Sequence, residues 1–410
     1  MNLKQLIYDW NNPEEDLFLP FPFEITDETL RDGLQSPSVR NPEIEEKLEM
    51  LHFMEQLGIQ AVDIGLPGAG SKHYQDTLRL AQEIAKQKLK IHPNCAARTV
   101  VSDIQPIVEI SQKAGIEIEI AAFLGSSPIR QYAEEWGLET LLKHVETAVK
   151  LGAANHLPVM FVTEDTTRSH PDTLKQLYQK AVECGARRIC LSDTVGYAVP
   201  SGVVNLVAFA KKIIKETGVE VKIDWHGHRD RDLAVANTLA ALASGADRVH
   251  GTILGIGERV GNTPLDLLLI NLKLLNCIHQ DLGKLGDYVN LVSRSCLVPI
   301  PDSYPVFGKD AFRTATGVHA SAIIKAEKKG ESWLADRVYS SVPAGDFGLK
   351  QRIEIGPMSG QSNVIYWLEK HGIPVEKDDI EKVLEKAKES NKILTDEEIS
   401  GVLSQRARAI

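Results

Sequence analysis

Residues 222–228 (KIDWHGH), 236–244 (ANTLAALAS), Gly245 and residues 248–254 (RVHGTIL) decide the fold. The outer two runs have the continuous apolar character of strands buried on both faces, and the middle run has the spacing of an amphipathic helix. Gly245 then reads as the cap that ends the helix and leads into the next strand. Working outward, the same unit recurs through the first two thirds of the chain. Gly58 follows EKLEMLHFMEQL, Gly115 follows IVEISQKA, Gly152 follows LLKHVETAVKL, Gly185 follows LYQKAVEC, and Gly218 follows FAKKIIKET. The strands fall at 23–28, 61–66, 92–98, 116–125, 157–164, 188–193, 222–228 and 248–254. Strand and helix alternating eight times predict an α/β protein, a (β/α)8 TIM barrel. A doubly wound open sheet also alternates strand and helix, but it needs a topological switch point and usually fewer strands.

Composition sets the bounds. A chain of 410 residues, 43% hydrophobic and 25% charged, can bury a large core. A net charge of −10 gives no basic footprint for nucleic acid or an anionic membrane. The N-terminal residues carry acids where a signal peptide would carry its apolar region, and no later run reaches membrane-spanning length, so a cytoplasmic location is expected. The five cysteines form no CxxC pair and are odd in number, which predicts reduced thiols, with neither a disulfide framework nor a thiolate zinc site.

Barrels of this kind carry their active sites where the strands end. Arg31 and Asp32 follow strand one, Arg98 strand three, and Ser126 and Ser127 strand four; Glu164 ends strand five. Asp193 and Thr194 follow strand six, His226 and His228 end strand seven, and Glu258 and Asn262 follow strand eight. Two histidines at i and i+2 of a strand share a face and can hold one metal ion. With Asp32 and Asn262 they make a mixed nitrogen and oxygen shell suited to Mn²⁺, Mg²⁺ or Zn²⁺. Several of these residues also have structural readings: Asp193 as a helix cap, Arg98 paired with a rim acid, Ser126 or Ser127 closing a turn. The loop 255–261 (GIGERVG) misses the spacing of a dinucleotide fingerprint, and its glycines read as a tight turn aiming Glu258 and Asn262 inward.

The motifs TDETLRDGLQ (26–35), HGH (226–228) with LAVANTLAAL, and GIGERVGN (255–262) resemble the metal-dependent acyl-CoA barrel family of 2-isopropylmalate, citramalate and homocitrate synthases and HMG-CoA lyases. The likeness spans most of residues 23–365. It implies Asp32, His226, His228 and Asn262 as metal ligands, and Arg31 as the cation that stabilises developing negative charge. It also implies Thr194 on the substrate carboxylate and Glu164 beside the substrate, and Arg98 is added as a substrate-binding cation. The segment 298–325 resembles the synthases' region ending in a Gly-Val-His element, which implies His319 as the base or its relay and Tyr339 as its partner. The implied reaction is condensation of acetyl-CoA with an α-keto acid, most simply 2-oxoisovalerate, followed by thioester hydrolysis. Residues contacting the acetyl-CoA are not assigned. The likeness further implies a homodimer whose base comes from the second subunit.

Departures separate the alternatives. Leu34 stands where the synthases usually have an acid, and RDGLQ is the lyase spelling. The lyases, however, carry a cysteine in the loop after the last strand, and residues 251–262 have none. Arg130 and Arg229 replace a usual histidine and asparagine, and GPMSGQSNV (356–364) lacks the family's Lys-His pair, so no role is given to it. Citramalate and homocitrate synthases remain alternatives for the keto acid. Outside enzymology, the alternative is a barrel kept as a metal-binding or regulatory scaffold, against which the nearly complete set of rim residues argues. The expected organisation is an N-terminal extension (1–22), the barrel (23–285), an α-rich C-terminal subdomain contributing to the active site (286–375) and a helical tail (376–410). Leucine-regulated synthases carry a further domain of about a hundred residues, a typical domain size, so insensitivity to leucine is expected.

Overall fold

The computed structural model describes residues 6–8, 10 and 22–404. The expected N-terminal extension lies almost wholly outside the described residues, as do residues 405–410 of the tail.

In chain order the first compact unit, ending at Val298, contains β1 (Glu24–Asp27), α1 (Ile44–Gln56), β2 (Ala61–Asp63), α2 (Ser71–Gln87), β3 (His92–Arg98) and α3 (Val101–Ala114). There follow β4 (Glu119–Gly125), α4 (Pro128–Glu134), α5 (Leu138–Ala154), β5 (Val159–Glu164), α6 (Pro171–Cys184) and β6 (Arg188–Asp193). The unit closes with α7 (Pro200–Thr217), β7 (Lys222–Gly227), α8 (Ala234–Ala243), β8 (Arg248–Gly251), α9 (Leu265–Leu274) and α10 (Leu285–Cys296). Strands β1 to β8 pair in chain order, and β1 closes on β8 in parallel with Glu24 opposite Arg248 and Thr26 opposite His250. The expected (β/α)8 barrel is therefore what forms. Glycine caps end the helices as read at Gly115, Gly185 and Gly218. Gly152 is different: α5 runs through it to Ala154 and is capped by Asn155. A Cβ on Gly152 would lie 2.5 Å from Val159 Cγ2, so this glycine lets α5 lie close on β5 and does not end the helix.

The barrel floor is charged. Side chains alternate along each strand, which turns Arg188, Asp224 and Arg248 inward together. Asp224 accepts from Arg188 Nη1 at 2.6 Å and from Arg248 Nε at 2.6 Å, while Arg188 Nη2 donates to Glu24 Oε2 at 2.9 Å and Arg248 Nη2 to Glu119. Buried charges persist only when so paired.

The unit boundary lies at Val298/Pro299, beyond the position expected between 285 and 286. The reason is α10: Tyr288 is fully buried, donates its hydroxyl hydrogen to Asp27 Oδ2 at 2.8 Å, and stacks on Phe53 of α1 at 5.9 Å between ring centroids. The second unit contains β9 (Arg313–Thr314), α11 (Gly317–Lys328), α12 (Ser332–Arg337), β10 (Arg352–Ile353), α13 (Gln361–Lys370), α14 (Lys377–Glu389) and α15 (Asp396–Ser404). Val364, Trp367 and Leu368 of α13 share one core with Ile380 and Val383 of α14 and Ile399 of α15, so the described tail is part of this unit. Among the described residues no helix is long and apolar enough to cross a membrane.

Candidate metal and substrate site

The strand ends of the barrel open on a cavity of about 340 Å³, lined among others by Glu28, Arg31, Asp32, Thr194, His226 and His228. Alternation along β7 places Asp224, His226 and His228 on the inner face, one above another. The Nε2 atoms of His226 and His228 converge on Asp32 Oδ2 at 3.6 and 3.7 Å, too far for hydrogen bonds. Asp32 Oδ2, where the two Nε2 atoms meet, is buried without a hydrogen-bond partner, as is Asn262 Oδ1. Buried polar atoms are otherwise almost always satisfied, so an unpartnered carboxylate oxygen faced by two imidazole nitrogens fits a cation. A fold-back of the chain brings Asn262 beside His228: the two pair as an isolated antiparallel bridge, and Asn262 Nδ2 donates to Ile256 O at 3.1 Å. Gly257 makes this possible, since at its φ of +152° a Cβ would lie 2.2 Å from Asn262 Nδ2. Glu258 lines the cavity from the same loop.

The protonation states suit ligation. Burial, with His226 alongside, pushes His228 down to about 4, leaving a neutral imidazole. Burial works to raise the Asp32 carboxyl, but Arg31 and His226 hold it below its usual value. Arg31 donates to Asp63 at 2.6 Å and to Asp32 at 2.8 Å, with Glu28 at 3.4 Å, which fixes its guanidinium in the cavity wall. Asp63 itself is pushed up to about 6 by burial against the pull of Arg31.

The other expected residues divide. Glu164 lines the cavity; burial raises its carboxyl, and Arg130 Nη2 stands 4.0 Å away. Thr194 also lines it, with Oγ1 accepting from the Asp165 backbone N–H at 2.8 Å, so its own hydrogen is left to donate. Arg98 is elsewhere: its side chain is 64% exposed and locked to Asp103 of α3 at 2.7 and 2.8 Å, the pairing with an acid that the sequence left open. Asp193 closes the turn before α7, accepting from the backbone N–H groups of Tyr197 and Ala198, and Ser126 bonds Glu164 O and Ser169. Arg229 holds the glycine loop through Val260 O at 2.8 Å. In the second unit, His319 and Tyr339 stack at 4.0 Å between ring centroids, both exposed.

Two side chains of the cavity wall, Glu28 and His250, escaped the sequence reading. Glu28 Oε2 lies 2.7 Å from His226 Nδ1, and Glu28 Oε1 lies 3.0 Å from His250 Nδ1, whose Nε2 is 2.9 Å from Asp224 Oδ2. Glu28, His226 and His250 are also spaced for a metal, but every one of the facing atoms already has a hydrogen-bond partner. Carboxylates on both sides raise His250 to about 9 against the opposing effect of burial. The available signal was alternation: Arg248 and His250 share the inner face of β8 just as the strand seven histidines share theirs.

Residues 22–292 match the HMGL-like family. The chain is 30% identical to homocitrate synthase AksA of Methanopyrus kandleri over 91% of this chain and 89% of that protein. It is 31% identical to a probable 2-isopropylmalate synthase of the same organism over 90% of this chain and 70% of that protein. The HMG-CoA lyase of Pseudomonas aeruginosa superposes with a TM-score of 0.57 at 18% identity, over 68% of this chain and 95% of that one, a likeness of fold.

Proposed function

The chain belongs to the HMGL-like family, and on that premise we propose that it condenses acetyl-CoA with an α-keto acid, 2-oxoisovalerate, and hydrolyses the thioester to give 2-isopropylmalate. The observation that carries this reading is the meeting of His226 Nε2 and His228 Nε2 on the unpartnered Asp32 Oδ2, in a cavity lined also by the apolar Ala96, Ala121, Phe123, Met160, Val162 and Cys190. A cation held by the first group would suit the keto and carboxylate oxygens of the acid; the apolar lining suits its branched alkyl tail. Asp32, His226, His228 and Asn262 would hold a divalent cation, Mn²⁺, Mg²⁺ or Zn²⁺. When bound, it supplies Lewis acidity to the keto oxygen.

This chain's own groups do the rest. Arg31, already fixed by Asp63, stabilises the negative charge that grows on the keto oxygen as the new carbon–carbon bond forms. The Thr194 hydroxyl donates to the substrate carboxylate. Glu164, with its raised carboxyl, stands beside the reacting centre as a proton-holding group. His319, oriented by Tyr339, takes a proton from the acetyl methyl group; the resulting carbanion attacks the keto carbon, the alkoxide so formed accepts the proton His319 took, and water then cleaves the thioester to release free CoA thiol and the carboxylate. His319 and Tyr339 act from the second subunit of a homodimer, which gives a composite site.

A second keto acid has a specific observation in its favour: the AksA relative is a homocitrate synthase, and Arg130, paired with Glu134, stands 4.0 Å from the cavity-lining Glu164 as a cation for a second carboxylate. The test is release of free thiol from acetyl-CoA with 2-oxoisovalerate, pyruvate and 2-oxoglutarate, before and after chelation and metal return. Fastest release with 2-oxoisovalerate, abolished by chelator, is expected. Fastest release with 2-oxoglutarate selects the homocitrate reading. No release with any acid, together with cleavage of 3-hydroxy-3-methylglutaryl-CoA, overturns the synthase reading for the lyase one.

A further inference from the structure

We propose that Glu28, clamped by His250, is a positioning residue that sets which nitrogen of His226 is free, and so builds the metal site before any metal arrives. The inference rests on the metal reading of Asp32, His226, His228 and Asn262 given above.

The two nitrogens of His226 face different partners. Nδ1 faces Glu28 Oε2 at 2.7 Å, and Nε2 faces Asp32 Oδ2 at 3.6 Å. A carboxylate only accepts, so Nδ1 carries the hydrogen and Nε2 keeps its lone pair pointed at the convergence of Asp32 and His228. In water the opposite tautomer, with hydrogen on Nε2, is the commoner one, and it would block the site. Glu28 therefore selects the form that can ligate.

Glu28 could do this only if it were itself held. It is about as buried as Asp32, 4% exposed, and its second oxygen meets His250 Nδ1 at 3.0 Å and Arg31 Nη2 at 3.4 Å. His250 is in turn fixed at its far end, Nε2 to Asp224 Oδ2 at 2.9 Å. With a carboxylate on each side, both ring nitrogens of His250 donate. The result is a continuous ladder of alternating acid and imidazole inside the barrel: Asp224, His250, Glu28, His226. Its lower end is anchored by Arg188 and Arg248, each 2.6 Å from Asp224. Carboxylates behind a ligating histidine fix its ring and raise its basicity, and their loss typically costs about 10- to 100-fold in metal affinity.

The experiment uses the full chain with Glu28→Gln, Glu28→Ala and His250→Gln, and two readouts. The first is Mn²⁺ affinity, from the free-ion EPR signal. Glu28→Ala should weaken binding by about 10- to 100-fold, Glu28→Gln, which keeps one acceptor oxygen, by less, and His250→Gln by less again. Native thermal unfolding in Glu28→Gln separates this from loss of fold, because a merely space-filling glutamate would leave the isosteric glutamine variant with wild-type affinity. The second readout needs no metal: histidine ¹⁵N shifts of the metal-free protein should place the hydrogen of His226 on Nδ1 in the wild type and move it toward Nε2 in Glu28→Ala. Wild-type affinity in Glu28→Gln, whatever Glu28→Ala does, or an Nε2-protonated His226 in the metal-free wild type, overturns the inference. A wild-type protein that shows the Nδ1 tautomer but takes up no Mn²⁺, Mg²⁺ or Zn²⁺ overturns the metal reading and leaves the tautomer lock standing.

Discussion

Asp224→Asn should destabilise the barrel by about 3 kcal/mol while leaving its shape almost unchanged, and the figure follows from what the carboxylate holds. Asp224 is fully buried; Oδ1 takes Arg188 Nη1, and Oδ2 takes Arg248 Nε and His250 Nε2. An asparagine has one acceptor and one donor, so whichever way the amide turns, its N–H₂ group meets an N–H of one of these partners. Removing one member of a buried ion pair costs about 3–5 kcal/mol because the other charge is left uncompensated. Glu24 and Glu119 still face Arg188, and Glu119 also faces Arg248, which argues for the low end. With an unfolding entropy of about 2.1 cal/mol/K per residue, a unit of this size has about 0.6 kcal/mol/K, so the melting temperature should fall by about 5 °C. Calorimetric melts of the metal-free protein measure it. Asp172→Asn is the control: its side chain is 85% exposed, and the change should stay within about 0.5 kcal/mol. A fall under about 1 °C for Asp224→Asn would show that the floor network does not stabilise the barrel as argued, since surface pairs are worth about that much.

Asp27 predicts a pH signature: burial raises its carboxyl to about 6, above the ordinary 3.8, so between these values the folded state holds a proton that the unfolded state has lost. Its contribution to stability therefore falls as pH rises from about 4 to about 6, and Asp27→Asn should gain on wild type by up to about 3 kcal/mol across that window; a pH-independent difference in urea midpoints refutes this. His226→Ala should lose at least about tenfold in metal affinity or activity, and full activity in exhaustively chelated enzyme would remove the metal from the mechanism. His319→Ala and His226→Ala homodimers should each be nearly inactive, and mixed dimers should regain activity through one site with two intact contributions; verified subunit exchange without recovery would place the base in the same chain or on another residue. Glu164→Gln should lower kcat by about 10²-fold or more with KM little changed, and a change confined to KM would reduce Glu164 to a binding role.

The sequence by itself determined the barrel, because its evidence is local. Strand runs, helical spacing and glycine stops repeat within some thirty residues, and neighbouring parallel strands in a barrel are neighbours in the chain. It also determined the pairing of His226 with His228, since alternation along one strand needs no knowledge of any other. Only the tertiary structure decided what lies behind and beside those residues. Glu28 and His226 are 198 positions apart and meet because β1 follows β8 around the closed barrel, a contact no local pattern carries. Arg98 shows the same limit at short range. It stands at a strand end as expected, yet Asp103, five positions away, takes one edge of its guanidinium through Nε and Nη2 and holds it out of the cavity. Gly152 was read as a helix stop and proved a place of close packing on Val159, and α10 was assigned to the appended unit until Tyr288 met Asp27 and Phe53. In each case the residue type was legible and its partner was not, because a partner is fixed by where distant strands and helices are brought together, and that follows from closing and packing the whole barrel.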